Sequence, residues 1–488
     1  MPPLTNRWTV SVVAAFFIVT LLFASRDRQA LLQTLHHQRP TTRPLPVPGS
    51  HPSGCAPSTS YLKEQLHMNS SIKYARAEMV VDFAESATVE KTLDATMPIF
   101  HMLDLDGGSS PDPYVPEPCP NPIRVTLPPS PRKTPDASHL IFGVATRADR
   151  LLESLDQFAH WAGHTSAKIV AIIEPAPEDV AAAVGSKAGA LGLELEIEQS
   201  DDSFNDRYYQ LTRAIFQRAD KKTQWGIVID DDTFFPSMAA LVDYLAGYDA
   251  SREHYIGGMT ENFEQLKKHG IMAYGGGGVF LSKPLLARLE SLYDTCYPHP
   301  EVLGDMRISN CVHSQTLTKL TAEPRLHQLD MRGDLSGWYE SGREPRPLSL
   351  HHWKSWHAAD VLVLAAADVV TGYEGLLRRW RFADGWWLTN GYSVVRYGRE
   401  LPADDVSMER TWLDDGAFLH SLAPLRPKDE GKVSLRLEGV ALSGEGEDTV
   451  ASQFYVQWST EGSQEVARVL EVVWRRARGS LERHTDNS

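Results

Sequence analysis

The run Trp225-Gly226-Ile227-Val228-Ile229-Asp230-Asp231-Asp232-Thr233-Phe234-Phe235 passes from an apolar stretch into three consecutive carboxylates and back to an apolar pair. An unbroken apolar run of this length fits a strand buried on both faces of a sheet. The acids then sit where that strand leaves the sheet, and in open α/β sheets ligands bind just outside the carboxyl ends of strands. Carboxylates one residue apart, here Asp230 and Asp232, can share a hard divalent cation, because Mg²⁺ and Mn²⁺ favour oxygen ligands. The competing reading is an acidic turn that only keeps a strand end soluble. The surrounding chain decides between them.

Upstream, Leu140 to Ala145 reads as a second buried strand, followed by a helix from about Leu151 to Trp161. Lys168 to Ile173 and Leu193 to Ile197 read as further strands, and Arg207 to Arg218 as a helix. Strands alternating with helices imply an α/β fold, a mostly parallel Rossmann-like sheet with helices on both faces, over residues 139–357. Downstream, Ser237 is placed to cap a helix carrying Met238, Leu241, Val242 and Leu245 at helical spacing. Four consecutive glycines, Gly275 to Gly278, lie between apolar residues and precede a Ser282-Lys283-Pro284 helix start. Such glycines allow backbone to approach a ligand or another element closely. Asp305 opens the next helical segment, where it reads as a helix cap or as a reactive carboxylate. Cys296 and Cys311 bracket it. A bridge there would contribute about 3 kcal/mol by chain entropy; two buried thiols are the alternative.

Beyond residue 358 the texture changes to alternating strands such as Val433, Leu435, Leu437 and Phe454, Val456, Trp458, a β-rich C-terminal region over 358–488. Val466 to Trp474 fits a helix or a strand. Residues 25–138 read as a proline-rich stem and wrapping segment, with a few strands among 59–104. Trp8 to Ala24 is uncharged and apolar with arginines on both sides, which fits an uncleaved membrane anchor following a seven-residue tail. Asn69-Ser70-Ser71 is an N-glycosylation acceptor, and Cys55 and Cys119 form a second candidate pair. The formal net charge of −15 excludes nucleic acid as an expected partner.

Taken in order, Asp230-Asp231-Asp232, Gly275 to Ser282, Asp305 to Cys311 and Leu326-His327 resemble the fringe-like branch of the family 31 glycosyltransferases. Phe142 to Arg150 followed by Trp161 resembles that family's opening strand and nucleotide-side helix. His327 to Asp330 and Ser349 to Trp353 are similar to the large fungal and plant subgroup. Gly304 departs from the pattern, since fringe proteins usually carry an Asp there, and Asn310 departs nearby. The resemblance implies a GT-A fold and inverting transfer from a UDP-sugar to a glycan or glycoprotein hydroxyl, with Mn²⁺ or Mg²⁺. It implies Asp305 as general base and Asp230, Asp232, His351 and His352 at the metal, with His327 as the alternative histidine. Thr146, Arg150, Asp230, Asp231, Gly276 and Gly277 are then expected on the donor. A Golgi or other secretory-pathway membrane is the expected location, with the anchor as membrane partner. A glycan-binding protein without turnover on the same fold is the reading of a different class.

Overall fold

The computed structural model describes residues 47–48, 56–68, 70–85, 90–106, 121–130, 134–298, 302–413, 424–461 and 464–477. The Trp8–Ala24 segment, Asn69, Cys55 and Cys119 lie outside them. Among the described residues no helix is long and apolar enough to cross a membrane.

The expected strand Trp225–Ile229 forms and is buried along its whole length. It lies inside a seven-stranded sheet ordered Leu320–Ala322, Tyr255–Gly257, Val279–Ser282, Trp225–Ile229, Leu140–Thr146, Lys168–Ile173, Glu194–Gln199. Every pairing is parallel except those of Val279–Ser282, which runs against both its neighbours. Side chains divide with the two-residue period of a strand. Phe142, Val144, Ile227 and Ile229 enter one core with Leu155, Phe158 and Trp161 of helix Ala148–Ala162. Ile141, Ala145 and Val228 enter the other with Tyr209, Leu211 and Ile215 of helix Phe204–Arg218. Burial on both faces explains why these strands read as continuous apolar runs. Ser203 and Ser237 cap the helices Phe204–Arg218 and Met238–Ala246, each accepting a hydrogen bond from a backbone N–H three residues on.

Val433–Ser443, Val450–Glu461 and Gln464–Arg476 form antiparallel neighbours, as the alternation predicts, and the ambiguous 466–474 segment is strand. Its outer neighbour is Ile72–Phe83, which runs parallel to Gln464–Arg476 and carries His101–Leu103 and Ile123–Leu127 on its other side. The strands expected among 59–104 are thus part of this second sheet, and Ile123–Leu127, from the wrapping segment, joins it. Lys73, Arg76 and Glu78 break the local apolar pattern of Ile72–Phe83, and its partner is supplied from the far end of the chain. The expected boundary at 357–358 also falls inside one core, since Val361, Leu364, Leu376 and Leu377 pack with Trp338, Leu350 and the helix Ala148–Ala162.

Candidate functional site

Two short backbone contacts assemble the site. Phe234 and Leu350 exchange N–H···O bonds of 2.8 Å, an antiparallel bridge just past the acids and just before the histidines. Asp232 and His351 are thereby set side by side. His351 Nε2 lies 2.9 Å from Asp232 Oδ1 and 3.2 Å from Asp230 Oδ2, while its Nδ1 lies 3.0 Å from the Gln328 carbonyl oxygen. The carbonyl fixes a proton on Nδ1 and turns Nε2 to the carboxylates, to which it donates its own hydrogen; a cation held there would take that proton's place. His352 lies beside it with the two rings tilted by 33°, its Nδ1 2.8 Å from Ser355 Oγ and 4.0 Å from Asp232 Oδ2 and its Nε2 3.1 Å from Asp330 Oδ1. Asp330 in turn accepts a bond of 2.6 Å from the Thr260 hydroxyl.

Potential ligand atoms of Asp232, His351 and His352 all lie within 4.8 Å of one another. Carboxylate oxygen with imidazole nitrogen is a donor set that several divalent first-row metals accept. Both histidines carry the backing a metal-bound imidazole needs, a carbonyl behind His351 and a carboxylate behind His352. The residues present therefore fit a divalent cation. Burial alone would neutralise both members of the central pair, but mutual attraction wins. It holds the Asp232 carboxyl well below the usual carboxylate range and raises His351 well above that of imidazole. Burial and the neighbouring His351 charge push His352 down.

His327, the alternative third ligand, is not brought here. It is buried with Nδ1 2.9 Å from Glu261 Oε1 and its ring edge-on to Trp338. Its partner Glu261 also accepts from the Leu329 N–H, so the pair braces the loop that carries Gln328 and Asp330.

The middle acid differs from its neighbours. Asp231 accepts from Thr146 Oγ1, from Arg150 Nε at 2.7 Å and from Arg150 Nη2, with Lys354 Nζ 3.7 Å away. Thr146, Arg150 and Asp231, all expected on a donor, thus spend these groups on one another. The clamp ties the acid-bearing loop to helix Ala148–Ala162. All three line a cavity of about 380 Å³ together with Phe204, Arg207, Asp230 and Asp232. A larger cavity, about 1070 Å³, lies at the second sheet between strand Ile72–Phe83, Asp94 and Trp380. Among the described residues the carboxylate–histidine group includes Asp232, which lines the smaller cavity and not the larger, so the smaller one is the candidate site.

Gly276 and Gly277 also serve differently from expectation. A Cβ on Gly276 would sit 2.0 Å from His351 Nδ1, so the close approach that glycine permits is to the histidine ring. The Gly277 N–H donates to Gln328 Oε1 at 3.0 Å, and its carbonyl accepts from Ser349 Oγ at 2.8 Å. The glycine run is an ordered wall behind the cation site.

Asp305 stands across that wall, in the first turn of helix Gly304–Gln315, with Leu303 at the capping position. Its Oδ2 accepts from the Gly275 N–H at 3.0 Å and its Oδ1 from the Met306 N–H at 2.7 Å. A helix N-terminus favours the ionised form, yet burial wins and Asp230 adds to it, pushing the carboxyl up to about 6. Cys296 and Cys311 are joined in a disulfide that ties this helix to the preceding one.

Five contributors escape a reading of the sequence. Gln328 and Asp330 back the histidines, and only their place beside His327 hints at it. Arg207 and Tyr208 face the site from helix Phe204–Arg218, where their spacing looks like ordinary core. Lys354 reaches the Asp231 clamp from the far side of the histidine loop.

The model of a family described as "Protein of unknown function, DUF604" matches residues 266–359. This stretch holds the glycine run, Asp305, His351 and His352, but not the three acids. A human β-1,3-glucosyltransferase is 26% identical over 138 residues, covering 28% of this chain and 26% of its own length. Among solved structures, the glycosyltransferase GlyE of Streptococcus pneumoniae is 15% identical, with 48% of this chain and 61% of that one covered and a TM-score of 0.31. Mouse xyloside xylosyltransferase 1 is 14% identical, with 44% and 97% covered and a TM-score of 0.28. The chain is thus similar to a β-1,3-glucosyltransferase over about a quarter of that relative's length, and it carries a DUF604 stretch that supplies half of the site.

Proposed function

We propose that the chain is an inverting, divalent-cation-dependent glycosyltransferase of the fringe-like family 31 type, moving a hexose or N-acetylhexosamine from a UDP-sugar to a glycan or glycoprotein hydroxyl. The observation that carries this reading is His351 Nε2 set between Asp230 and Asp232, with Asp305 held by the other side of the same glycine wall. Asp232, His351 and His352, with Asp230 beside them, would hold Mn²⁺ or Mg²⁺. Bound there, the cation supplies neutralisation of the charge that develops on a departing diphosphate. Asp305 supplies the base. A carboxyl near 6 is mostly ionised at neutral pH and is more basic than an ordinary aspartate, which favours taking a proton from an acceptor hydroxyl. Its two backbone N–H bonds fix its orientation without using all its lone pairs. The Arg150–Asp231 clamp holds the acid-bearing loop in place, and the cavity along Phe204 and Arg207 is of a size to take a nucleotide.

The same proposal places the chain in a Golgi or other secretory-pathway membrane as a single-pass type II protein, on the Trp8–Ala24 segment and Asn69. Retention in the membrane pellet after carbonate washing, with a loss of mass on glycosidase treatment, is the expected result. The activity is tested by screening UDP-glucose, UDP-galactose and UDP-N-acetylglucosamine for UDP release with Mn²⁺ and with chelator. Cation-dependent release from one of them supports the reading. Binding of a glycan with no release from any donor favours a glycan-binding protein instead.

A further inference from the structure

The helix Phe204–Arg218 sends one side chain between the two halves of the site. Tyr208 is 3% exposed, and its hydroxyl has no hydrogen-bond partner among the described residues. Two glycines make its slot. A Cβ on Gly304 would lie 2.4 Å from Tyr208 Cβ, and a Cβ on Gly275 would lie 2.2 Å from the Tyr208 hydroxyl and 3.3 Å from Asp230 Oδ1. Gly275 is also the residue whose N–H holds Asp305. The hydroxyl therefore sits against the one backbone spot that borders both Asp230 and Asp305. Gly304, the departure from the fringe pattern, is what admits the ring.

Burying a hydroxyl unpartnered is costly, and such groups call for an explanation in what they meet. Asp305 and Asp230 both keep lone pairs free, yet neither accepts from this hydroxyl. Phe204 and Arg207, from the same turn of helix, line the cavity beside the acids, and the Tyr208 hydroxyl packs behind them at Gly275. In a displacement with inversion, the sugar lies between its leaving group and the base that activates the acceptor. We propose that Tyr208 donates its hydroxyl hydrogen to an oxygen of the transferred sugar, as a positioning and specificity residue. This rests on the transferase reading above. It assigns Tyr208 to the sugar and not to the diphosphate or the base.

The test is calorimetric binding of UDP and of the three UDP-sugars, with Mn²⁺, to the unsubstituted protein and to Tyr208→Phe. Phenylalanine keeps the ring in its slot and removes the unpartnered oxygen, so the melting temperature should hold or rise. Affinity for the preferred UDP-sugar should fall about tenfold, the worth of one good neutral hydrogen bond, while affinity for UDP stays the same. Deoxygenated UDP-sugars give a check that needs no variant: one of them should bind the unsubstituted protein about tenfold more weakly and be indifferent to Tyr208→Phe. Equal loss for UDP and UDP-sugar would assign the hydroxyl to the diphosphate and overturn the proposal. So would unchanged binding of every ligand. If the unsubstituted protein binds no UDP-sugar at all, the transferase reading fails, and this assignment with it.

Discussion

Replacing Gly276 with alanine puts a methyl carbon 2.0 Å from His351 Nδ1, 2.1 Å from Cε1 and 2.3 Å from Cγ. Ordinary contact begins near 3.5 Å, so the imidazole must retreat by about 1.5 Å. The residue has no positive φ, which leaves steric conflict as the whole of the effect. The 3.0 Å bond from Nδ1 to the Gln328 carbonyl cannot survive that retreat. Overpacking costs about 1–3 kcal/mol and the lost bond about 1 more. Displacing the group that orients a metal-bound histidine typically weakens metal binding about 10–100-fold. Gly277→Ala is the matched control, because its Cβ meets nothing closer than 3.5 Å. Mn²⁺ titration followed by electron paramagnetic resonance, paired with thermal melts, reads both quantities. Gly276→Ala should lose cation affinity and stability, and Gly277→Ala should lose little of either. Equal Mn²⁺ affinity in the two variants would refute the claim that this glycine exists to seat His351.

If the proposed transferase activity holds, Asp305→Asn should lower turnover roughly 10²–10⁴-fold while sparing UDP binding, and kcat/KM of the unsubstituted protein should fall as pH drops through about 6. Stability moves the opposite way: the folded-state value lies above the unfolded one near ~4, so ionising Asp305 costs stability as pH rises from about 4 to about 6. Melts at pH 7.5 should therefore find Asp305→Asn no less stable than the parent, and a marked loss would argue for a structural carboxylate. His327→Gln should destabilise the loop it braces with Glu261 yet leave Mn²⁺ affinity within about twofold, since a metal-ligand loss would cost far more. Removing the Cys296–Cys311 bridge by Cys296→Ser with Cys311→Ser should cost about 3 kcal/mol in denaturant melts, the separation being 15 residues.

The parts legible in the sequence are those decided locally. Trp225 to Ile229 can be read as a buried strand because both its faces are covered, and the acids follow at its end whatever else the chain does. The glycine run and the start of the helix at Lys283 are equally local. The choice among His327, His351 and His352 is not, because the Phe234–Leu350 bridge makes it, and no spacing rule reports a bridge across more than a hundred residues. Tyr208 is hidden for a different reason. Its place on helix Phe204–Arg218 matches the pattern of Leu211 and Ile215, which are plain core. The contacts of Gly276 and Gly277 with His351 and Gln328 are hidden because glycine reports close approach without saying what approaches.

The parallel pairing of Ile72–Phe83 with Gln464–Arg476 sets a schedule for making the protein. At ribosomal speeds of about 5–20 residues per second, the early strand waits roughly 20–80 s for its partner to be synthesised. During that interval an edge bearing Met79, Val80 and Val81 is open to pairing with any other chain. Yield in a cell should therefore respond to translation rate and to chaperone supply more steeply than the melting temperature does. A shortened chain that begins at residue 139 would leave the Gln464–Arg476 edge permanently uncapped, and it should aggregate even though every residue of the candidate site is present.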